Sequence, residues 1–426
     1  MAFVKKPVTG MRDILPEEME IRNYLMQVIR DVYKAYGFTA METPVVEHIE
    51  NLTSKQGGDN EKLIFKVLKR GDKLTKELPS LTEENMDVLS DSGLRYDLTL
   101  PLARYYSNNQ SVLPQPFKAL QMGPVFRADR PQRGRFRQFV QCDIDILGDA
   151  TNLAEKELIM ATTEALEKLG FGKYNFRIII NDRRILHEMI SYSGLPLDDM
   201  EKILIVLDKA DKIGAEGVDR ELLEMGYSDD CVKKLRGLLS AYSSDSTGPK
   251  KMAEMIGSEM ALEACTNVSD IMESVEAVKD RKINISFEPT LVRGMGYYTG
   301  TIFEIQVDSF GSSVGGGGRY DKMIGKFTGQ DTPAVGFSIG FERIMTILME
   351  DGFSIPGEKL KKAYLVEKNM NSSKLGEIFN EAIRERNEGH QVLVVWMAKN
   401  KKHQKENLMK EGYTEFRDFY REELKR

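Results

Sequence analysis

The sequence predicts an α+β protein with a helical insertion and a small C-terminal α/β domain. Three observations predict it. Val140, Cys142, Ile144 and Ile146 alternate with Gln141, Asp143 and Asp145, the period of a strand with one apolar and one polar face. From about Arg183 to Arg281 the chain turns rich in Met, Leu, Lys and Glu at helical spacing and carries no convincing strand signal. Beyond MEDGFSIPGEKLKK at 349–362, which reads as a linker, the apolar runs AYLVEK and QVLVVWMAK alternate with amphipathic helices.

The 426 residues suffice for several domains and a large core, and 41% of them are hydrophobic, as in ordinary globular chains. No apolar run approaches the roughly 20 residues of a membrane helix. The start, MAFVKKPVTG, lacks the apolar core of a secretory signal. Cys142, Cys231 and Cys265 lie far apart, which argues against a zinc site or disulfide framework and fits a reducing cytoplasm. A net charge of -6 excludes a simple polycation that coats nucleic acid, but not a local basic face.

Element by element, Pro16 with Glu17 and Glu18 starts a helix. Ile21, Leu25, Val28, Val32 and Tyr36 give its apolar stripe, and Gly37 stops it. Phe38 to Pro44 reads as extended, because a residue before proline is pushed toward β geometry. In LRYDLTLP (94–101), Arg95, Asp97 and Thr99 alternate with Tyr96, Leu98 and Leu100 as on a strand, and a helix is expected from Pro101.

Phe126 to Gly148, FRADRPQRGRFRQFVQCDIDILG, then reads as a hairpin with Arg127, Arg130, Arg133, Arg135 and Arg137 at its tip. Guanidinium forks grip phosphate oxygens, while a carboxylate and an amide on one strand face hold an ammonium or an imidazole. The segment therefore suits a polyphosphate beside a small cationic or polar molecule, although a solvated basic loop on a half-buried strand has the same pattern. Leu153 to Leu169 reads as a helix and Phe176 to Ile180 as a strand, and YSSDSTGPKK (242–251) interrupts the helical insertion.

Strand signals return from Ile283 to about Ile305. LVRGMGYYTGTIFEI sets Arg293 among glycines and sends Tyr297 and Tyr298 into a strand, where they face opposite sides. SVGGGGRYD reads as a glycine turn that brings backbone close to something flat or crowded. AVGFSIGFER reads as strand into helix; Gly336 and Gly340 leave a slot for a planar base, and Arg343 can stack on it or reach a phosphate. Close strand–helix packing explains the same glycines. Neither a GxGxxG nor a GK[ST] loop occurs, and His48, His187, His390 and His403 form no HExxH or triad pattern. No metal-ligand set is expected.

In this order the motifs resemble those of class II aminoacyl-tRNA synthetases, and of the histidyl-tRNA synthetase family in particular. VTGMRDILPEEM is similar to the family's start, YGFTAMETPVVE to motif 1, the arginine hairpin to motif 2 and AVGFSIGFER to motif 3. LVRGMGYYTGTIFE and GGGGRYD resemble the histidine-specific signatures, and the resemblance covers roughly residues 5–350. It implies a mainly antiparallel sheet flanked by helices, a homodimer through motif 1, and ATP with Mg²⁺, histidine and tRNA(His) as substrates and partners.

The implied layout is a catalytic domain in two parts (1–182 and 282–350), a helical insertion (183–281) that clasps the acceptor stem, and a shortened anticodon-binding-like domain (360–426). By the same resemblance Arg127 would hold the α-phosphate, Arg293 the transferring phosphoryl, and Arg343 the γ-phosphate. Asp129, Arg135 and Arg137 would contact ATP, while Arg130 and Gln132 would meet the tRNA acceptor end. Asp97, Thr99 and Gln141 would bind the α-amino group, and Asp145 with Tyr298 the two imidazole nitrogens. Tyr297 and Tyr320 would line that pocket over a floor of glycines 315–318.

Two positions depart from the pattern. Gly296 stands where the family usually carries a carboxylate, and the last strands of the C-terminal domain are expected to be missing or altered. The second departure leaves an alternative: a non-catalytic, histidine-sensing regulatory paralogue of the ATP phosphoribosyltransferase system. Arg293 and Tyr298 favour the enzyme. A synthetase for another amino acid would need a different pair than Asp145 and Tyr298.

Overall fold

A helix starts at Pro16, where the ring presets φ and the missing N–H is not needed, and it ends before Gly37 at φ +81°. A computed structural model describes residues 3–53, 60–82, 85–279, 283–292, 296–308, 310–311, 313–357 and 360–421. Contacts divide the chain into two compact units, Met1–Asp13 with Leu25–Gly352 and Ile14–Tyr24 with Phe353–Arg426.

In chain order the larger unit takes in most of α1 (Pro16–Ala35), then β1 (Thr39–Ala40), β2 (Val46–His48), α2 (Ile49–Leu52), β3 (Lys66–Leu68), α3 (Asp72–Glu77), β4 (Ser90–Leu94) and α4 (Thr99–Asn109). The hairpin strands β5 (Phe117–Phe126) and β6 (Gln138–Leu147) follow, then α5 (Leu153–Lys168) and β7 (Phe176–Asp182). Six helices come next: α6 (Arg183–Ser193), α7 (Met200–Leu207), α8 (Ala210–Glu224), α9 (Asp229–Ala241), α10 (Gly248–Ile256) and α11 (Glu259–Glu276). The unit closes with β8 (Ile285–Phe287), β9 (Thr301–Val307), β10 (Gly315–Arg319), α12 (Lys322–Thr328), β11 (Ala334–Gly340) and α13 (Phe341–Glu350).

Eight strands form one sheet in the order β1-β5-β6-β11-β10-β9-β7-β8. Every pair from β5 to β7 is antiparallel, and only the edge pairs β1·β5 and β7·β8 are parallel. A small antiparallel sheet, β2-β4-β3, stands apart. On the apolar face Phe303 and Phe337 stack with ring centroids 5.3 Å apart, on either side of Gly317 in register. The other face carries the polar row of β6.

Three local predictions are corrected. SVGGGGRYD is not a turn: its glycines are the central strand β10. A Cβ on Gly317 would stand 1.9 Å from the Gly336 carbonyl oxygen, so crowding between strands, not chain reversal, demands glycine there. LRYDLTLP is not a strand, and α4 begins two residues before Pro101. Asp97 Oδ1 accepts from the Leu100 N–H (3.1 Å) in the first turn of α4, and this local bond outweighs the apolar alternation. Tyr297 and Tyr298 lie in the loop before β9, so strand alternation does not separate them.

Arg319 ends β10 and fixes it. Its Nε and Nη2 donate to the two carboxylate oxygens of Glu155 on α5 (2.7 and 2.6 Å), and further bonds reach the Asp149 and Thr151 carbonyls and Asp321. All five guanidinium N–H groups are thereby used. Its carbonyl accepts from the Thr299 N–H (2.8 Å), which ties the tyrosine loop to the same strut.

The smaller unit holds β12 (Lys361–Val366), α14 (Ser372–Asn387), β13 (Gln391–Trp396), α15 (Lys401–Lys410) and β14 (Glu415–Phe419). The three strands are parallel in the order β13-β12-β14. The expected loss of the final strands is therefore corrected by one: EFRDF pairs with β12, its short charged pattern concealing a strand. Among the described residues no helix is long and apolar enough to cross a membrane, and Cys142, Cys231 and Cys265 are free thiols.

Candidate active site

Register places Asp145 opposite Gly336, Asp143 opposite Ser338 and Gln141 opposite Gly340, with Gly318 and Gly316 next in line on β10. Rows of acidic or amide side chains thus run into rows of bare backbone. A Cβ on Gly336 would stand 1.9 Å from Asp145 Oδ1, and one on Gly318 would stand 2.8 Å from the Tyr298 ring. The glycines make the room that the carboxylate and the tyrosine occupy.

The resulting cavity is lined by Asp97, Thr99, Arg127, Gln141, Asp143, Asp145, Tyr297, Tyr298, Tyr320, Phe337, Ser338 and the glycines at 316–318 and 336. It therefore gathers Asp97, Thr99, Gln141, Asp145, Tyr297, Tyr298 and Tyr320, all seven of the predicted amino-acid-binding residues that are described. Arg293 lies outside the described residues. Gly296, where a carboxylate is usual, is exposed in the turn before the tyrosines.

Asp145 Oδ1 accepts from the Tyr320 hydroxyl (2.6 Å), so Tyr320 does more than line the wall. Gln141 Nε2 donates to Ser338 Oγ (3.0 Å). What remains is unusual: Asp97 Oδ2, Gln141 Oε1, Asp143 Oδ1 and Asp145 Oδ2 are buried with no hydrogen-bond partner among the described residues. Each such acceptor costs free energy, typically about 1–3 kcal/mol, until a donor reaches it.

Burial pushes the Asp97 carboxyl up, and it pushes Asp143 well above the usual carboxylate range, with the charge of Asp145 adding to it. Burial raises Asp145 to about 7 against the pull of the Tyr320 hydrogen bond. A cavity so rich in acids, with Arg127 as its one lining guanidinium among the described residues, calls for a cation or a cluster of N–H donors.

A second, larger cavity opens beside the first and shares Arg127, Gln141, Gly316 and Ser338 with it. Its walls add Asp129, Arg135, Phe136, Phe139, Glu304 and Arg343. Arg127 stands at the junction: its Nε donates to the Tyr96 carbonyl (2.9 Å), and its guanidinium lies 5.2 Å from the Phe139 ring centre. Arg343 donates to the Ser313 carbonyl, and Arg135 pairs with Asp129 at 2.9 Å. Arg133 grips Glu350 with two bonds and lies 5.0 Å from the Phe310 ring centre, which docks the hairpin tip on α13.

Arg137, predicted to touch ATP, does not line this cavity. It donates to the Asp129 carbonyl (3.1 Å) and the Thr9 carbonyl (3.3 Å), bracing the loop against the N-terminal segment. Arg130 and Gln132 are exposed, and Gln132 bonds the Arg135 backbone in both directions. Phe136, Phe139, Ser338 and Glu304 were not assigned from sequence. A glutamate inside the apolar run TIFEI is the one signal that pointed at the last.

Residues 10–344 match the family model described as histidyl-tRNA synthetase. The histidine–tRNA ligase of Leifsonia xyli subsp. xyli is 46% identical over 355 residues, covering 82% of this chain and 81% of that protein. The chain belongs to the histidyl-tRNA synthetase family. The crystal structure of histidyl-tRNA synthetase from Nostoc sp. PCC 7120 superposes with a TM-score of 0.79 at 25% identity, covering 96% of this chain and 90% of that one. An ATP phosphoribosyltransferase regulatory subunit/histidyl-tRNA synthetase from Bacillus halodurans C reaches 0.77 at 21% identity, covering 98% and 99%. The second likeness shows the shared fold alone.

Because Asp145 stands above its unfolded value, the stability tied to its protonated form is complete below about pH 4 and is lost as pH rises through about 7. Of the groups facing it, the Tyr320 hydroxyl opposes the rise by hydrogen-bonding the carboxylate, and the charge of Asp97 adds to it. Asp145→Asn removes the ionisation, so its melting temperature should gain on the unmodified protein between about pH 5 and about pH 8. A difference that stays constant across that range contradicts the assignment.

Proposed function

We propose that this chain joins histidine to ATP as histidyl-adenylate, releasing pyrophosphate, and then passes the histidyl group to the 3′ end of tRNA(His). One observation carries the reading of the first cavity: its four unpartnered acceptors match the three N–H donors of an α-ammonium and one of an imidazole. Asp145, held by Tyr320, takes the imidazole N–H, and Tyr298 takes the second ring nitrogen. Asp97, Thr99 and Gln141 receive the ammonium, and Tyr297 closes over the ligand.

The second cavity takes ATP, the substrate of this family. A histidine carboxylate is already a nucleophile at neutral pH, so activation needs no general base. One carboxylate oxygen bonds to the α-phosphorus while the bond to the bridging oxygen breaks and pyrophosphate departs with its electron pair. The obstacle is repulsion between the carboxylate and the triphosphate, and arginines offset it. Arg127, between the cavities, meets the α-phosphate; Arg343 holds the γ-phosphate end, Asp129 and Arg135 contact the nucleotide, and by the family resemblance Arg293, outside the described residues, takes the transferring phosphoryl. Phe136 and Phe139 offer ring faces beside them.

Among the described residues no three His, Cys, Asp or Glu side chains form a metal site. Mg²⁺ carried on the triphosphate would have Glu304 in the second cavity's wall as an oxygen donor and would neutralise phosphate charge. Arg130 and Gln132, exposed at the hairpin tip, are free to meet the tRNA acceptor end. The terminal ribose hydroxyl attacks the acyl carbon and AMP leaves.

We assign residues 1–182 and 282–350 to the catalytic domain and 183–281 to an insertion that clasps the acceptor stem. Residues 360–426 form a short anticodon-side domain, two copies pair through the motif 1 segment, and the free thiols suit a cytoplasmic enzyme. Nothing observed favours the regulatory paralogue.

The purified protein should charge a tRNA(His) transcript with labelled histidine, and Arg127→Ala should lower activation about 10²–10³-fold while histidine still binds. A variant of near-normal rate removes Arg127 from the role. Gly336→Ala, which drives a methyl into Asp145, should abolish histidine binding by calorimetry; retained affinity would refute the pocket.

A further inference from the structure

Asp143 is the one carboxylate of the first cavity to which the family motifs give no role, although its Oδ1 is one of the four unpartnered acceptors. It is 3% exposed, it lines the cavity, and its Oδ1 has no hydrogen-bond partner among the described residues. On the assumption that histidine is the ligand, we propose that Asp143 is the third acceptor for the α-ammonium group, completing a set with Asp97 and Gln141.

The argument is geometric. Gln141, Asp143 and Asp145 sit on one face of β6, successive members being about 6.6–6.8 Å apart along the strand. Asp145 serves the imidazole end, so Gln141 and Asp143 lie toward the other. Ser338 lies beside both: it stands opposite Asp143 in register and accepts from Gln141 Nε2 at 3.0 Å. The bond to Ser338 occupies the Gln141 amide N–H and leaves Gln141 Oε1 and Asp143 Oδ1 as buried, unpartnered acceptors of two residues that line the same cavity. Asp97 Oδ2 supplies a third acceptor, and its charge is felt at Asp143. An ammonium has three N–H donors and needs three acceptors. Thr99 lines the cavity as well, but its hydroxyl is not among the buried acceptors left without a partner.

Asp143 therefore discriminates by the amino group and not by the ring. The full-length protein and its Asp143→Asn and Asp145→Asn variants would be titrated calorimetrically, directly or by competition, with three compounds. Histidine carries ring, amine and carboxylate; histidinol lacks the carboxylate; imidazolepropionate lacks the amine. Asp143→Asn should weaken histidine and histidinol about ten- to a hundredfold and leave imidazolepropionate within about twofold. Asp145→Asn should weaken all three. Ser338→Ala, which keeps the carboxylate but removes the hydroxyl beside it, should show the same selectivity at smaller size and covers the case of a poorly folded Asp143 variant.

Equal weakening of all three compounds by Asp143→Asn, or unchanged histidine affinity, overturns the assignment alone. Failure of the unmodified protein to bind histidine overturns the histidine reading, and this assignment falls with it.

Discussion

Four buried acceptor oxygens turned into one cavity, with no donor among the described residues to meet them, are the constraint around which the catalytic sheet is arranged. Leaving them unpaired costs free energy in the empty protein, so the surrounding structure must hold them in place against collapse. Tyr320 does so for Asp145, the Leu100 N–H for Asp97, and Ser338 for Gln141. Each carboxylate or amide spends one polar atom on the scaffold and offers the other to a ligand. The division explains how a cluster of acids stays ordered while its members are pushed toward protonation.

The same constraint reaches outward. Room for Asp145 requires glycine at 336, and room for Tyr298 requires glycine at 318. Glycine strands are weak, since they lack side chains to pack and lose much entropy on folding. Here the weakness is offset at both ends of the problem. Phe303 and Phe337 close over Gly317 on the apolar face, and the fully bonded Arg319 pins the end of β10 to Glu155. Through the Thr299 N–H the same strut reaches the tyrosine loop, so specificity groups and scaffold share one anchor. Arg127 then links chemistry to recognition, because it alone among the lining arginines borders both cavities.

Much of this was legible in the chain. The alternation along 140–146 located β6 and its polar face, the arginine density located the second cavity, and ordered motifs located the described amino-acid-binding residues of the first. What stayed hidden has physical causes. Glycine runs signal turns because glycine is usually there for its backbone freedom, whereas glycines 315–318 are there for volume. Asp97 to Leu100 alternates like a strand, but the Asp97 carboxylate bonding the Leu100 N–H favours helix. EFRDF carries too many charges to read as a strand until β12 supplies its partner. Arg137 belongs to an arginine cluster in sequence yet braces the loop in space. Asp143 was read only as part of a polar face, and its meaning comes from Ser338, nearly two hundred residues away in sequence.

The most direct test of the account is amino-acid-dependent ATP–pyrophosphate exchange by the purified protein across a full panel of amino acids. The account predicts exchange with histidine alone, because the acceptor set and the arginine junction act on one ligand. Exchange driven by a different amino acid, or none at all while histidine binds, would contradict it.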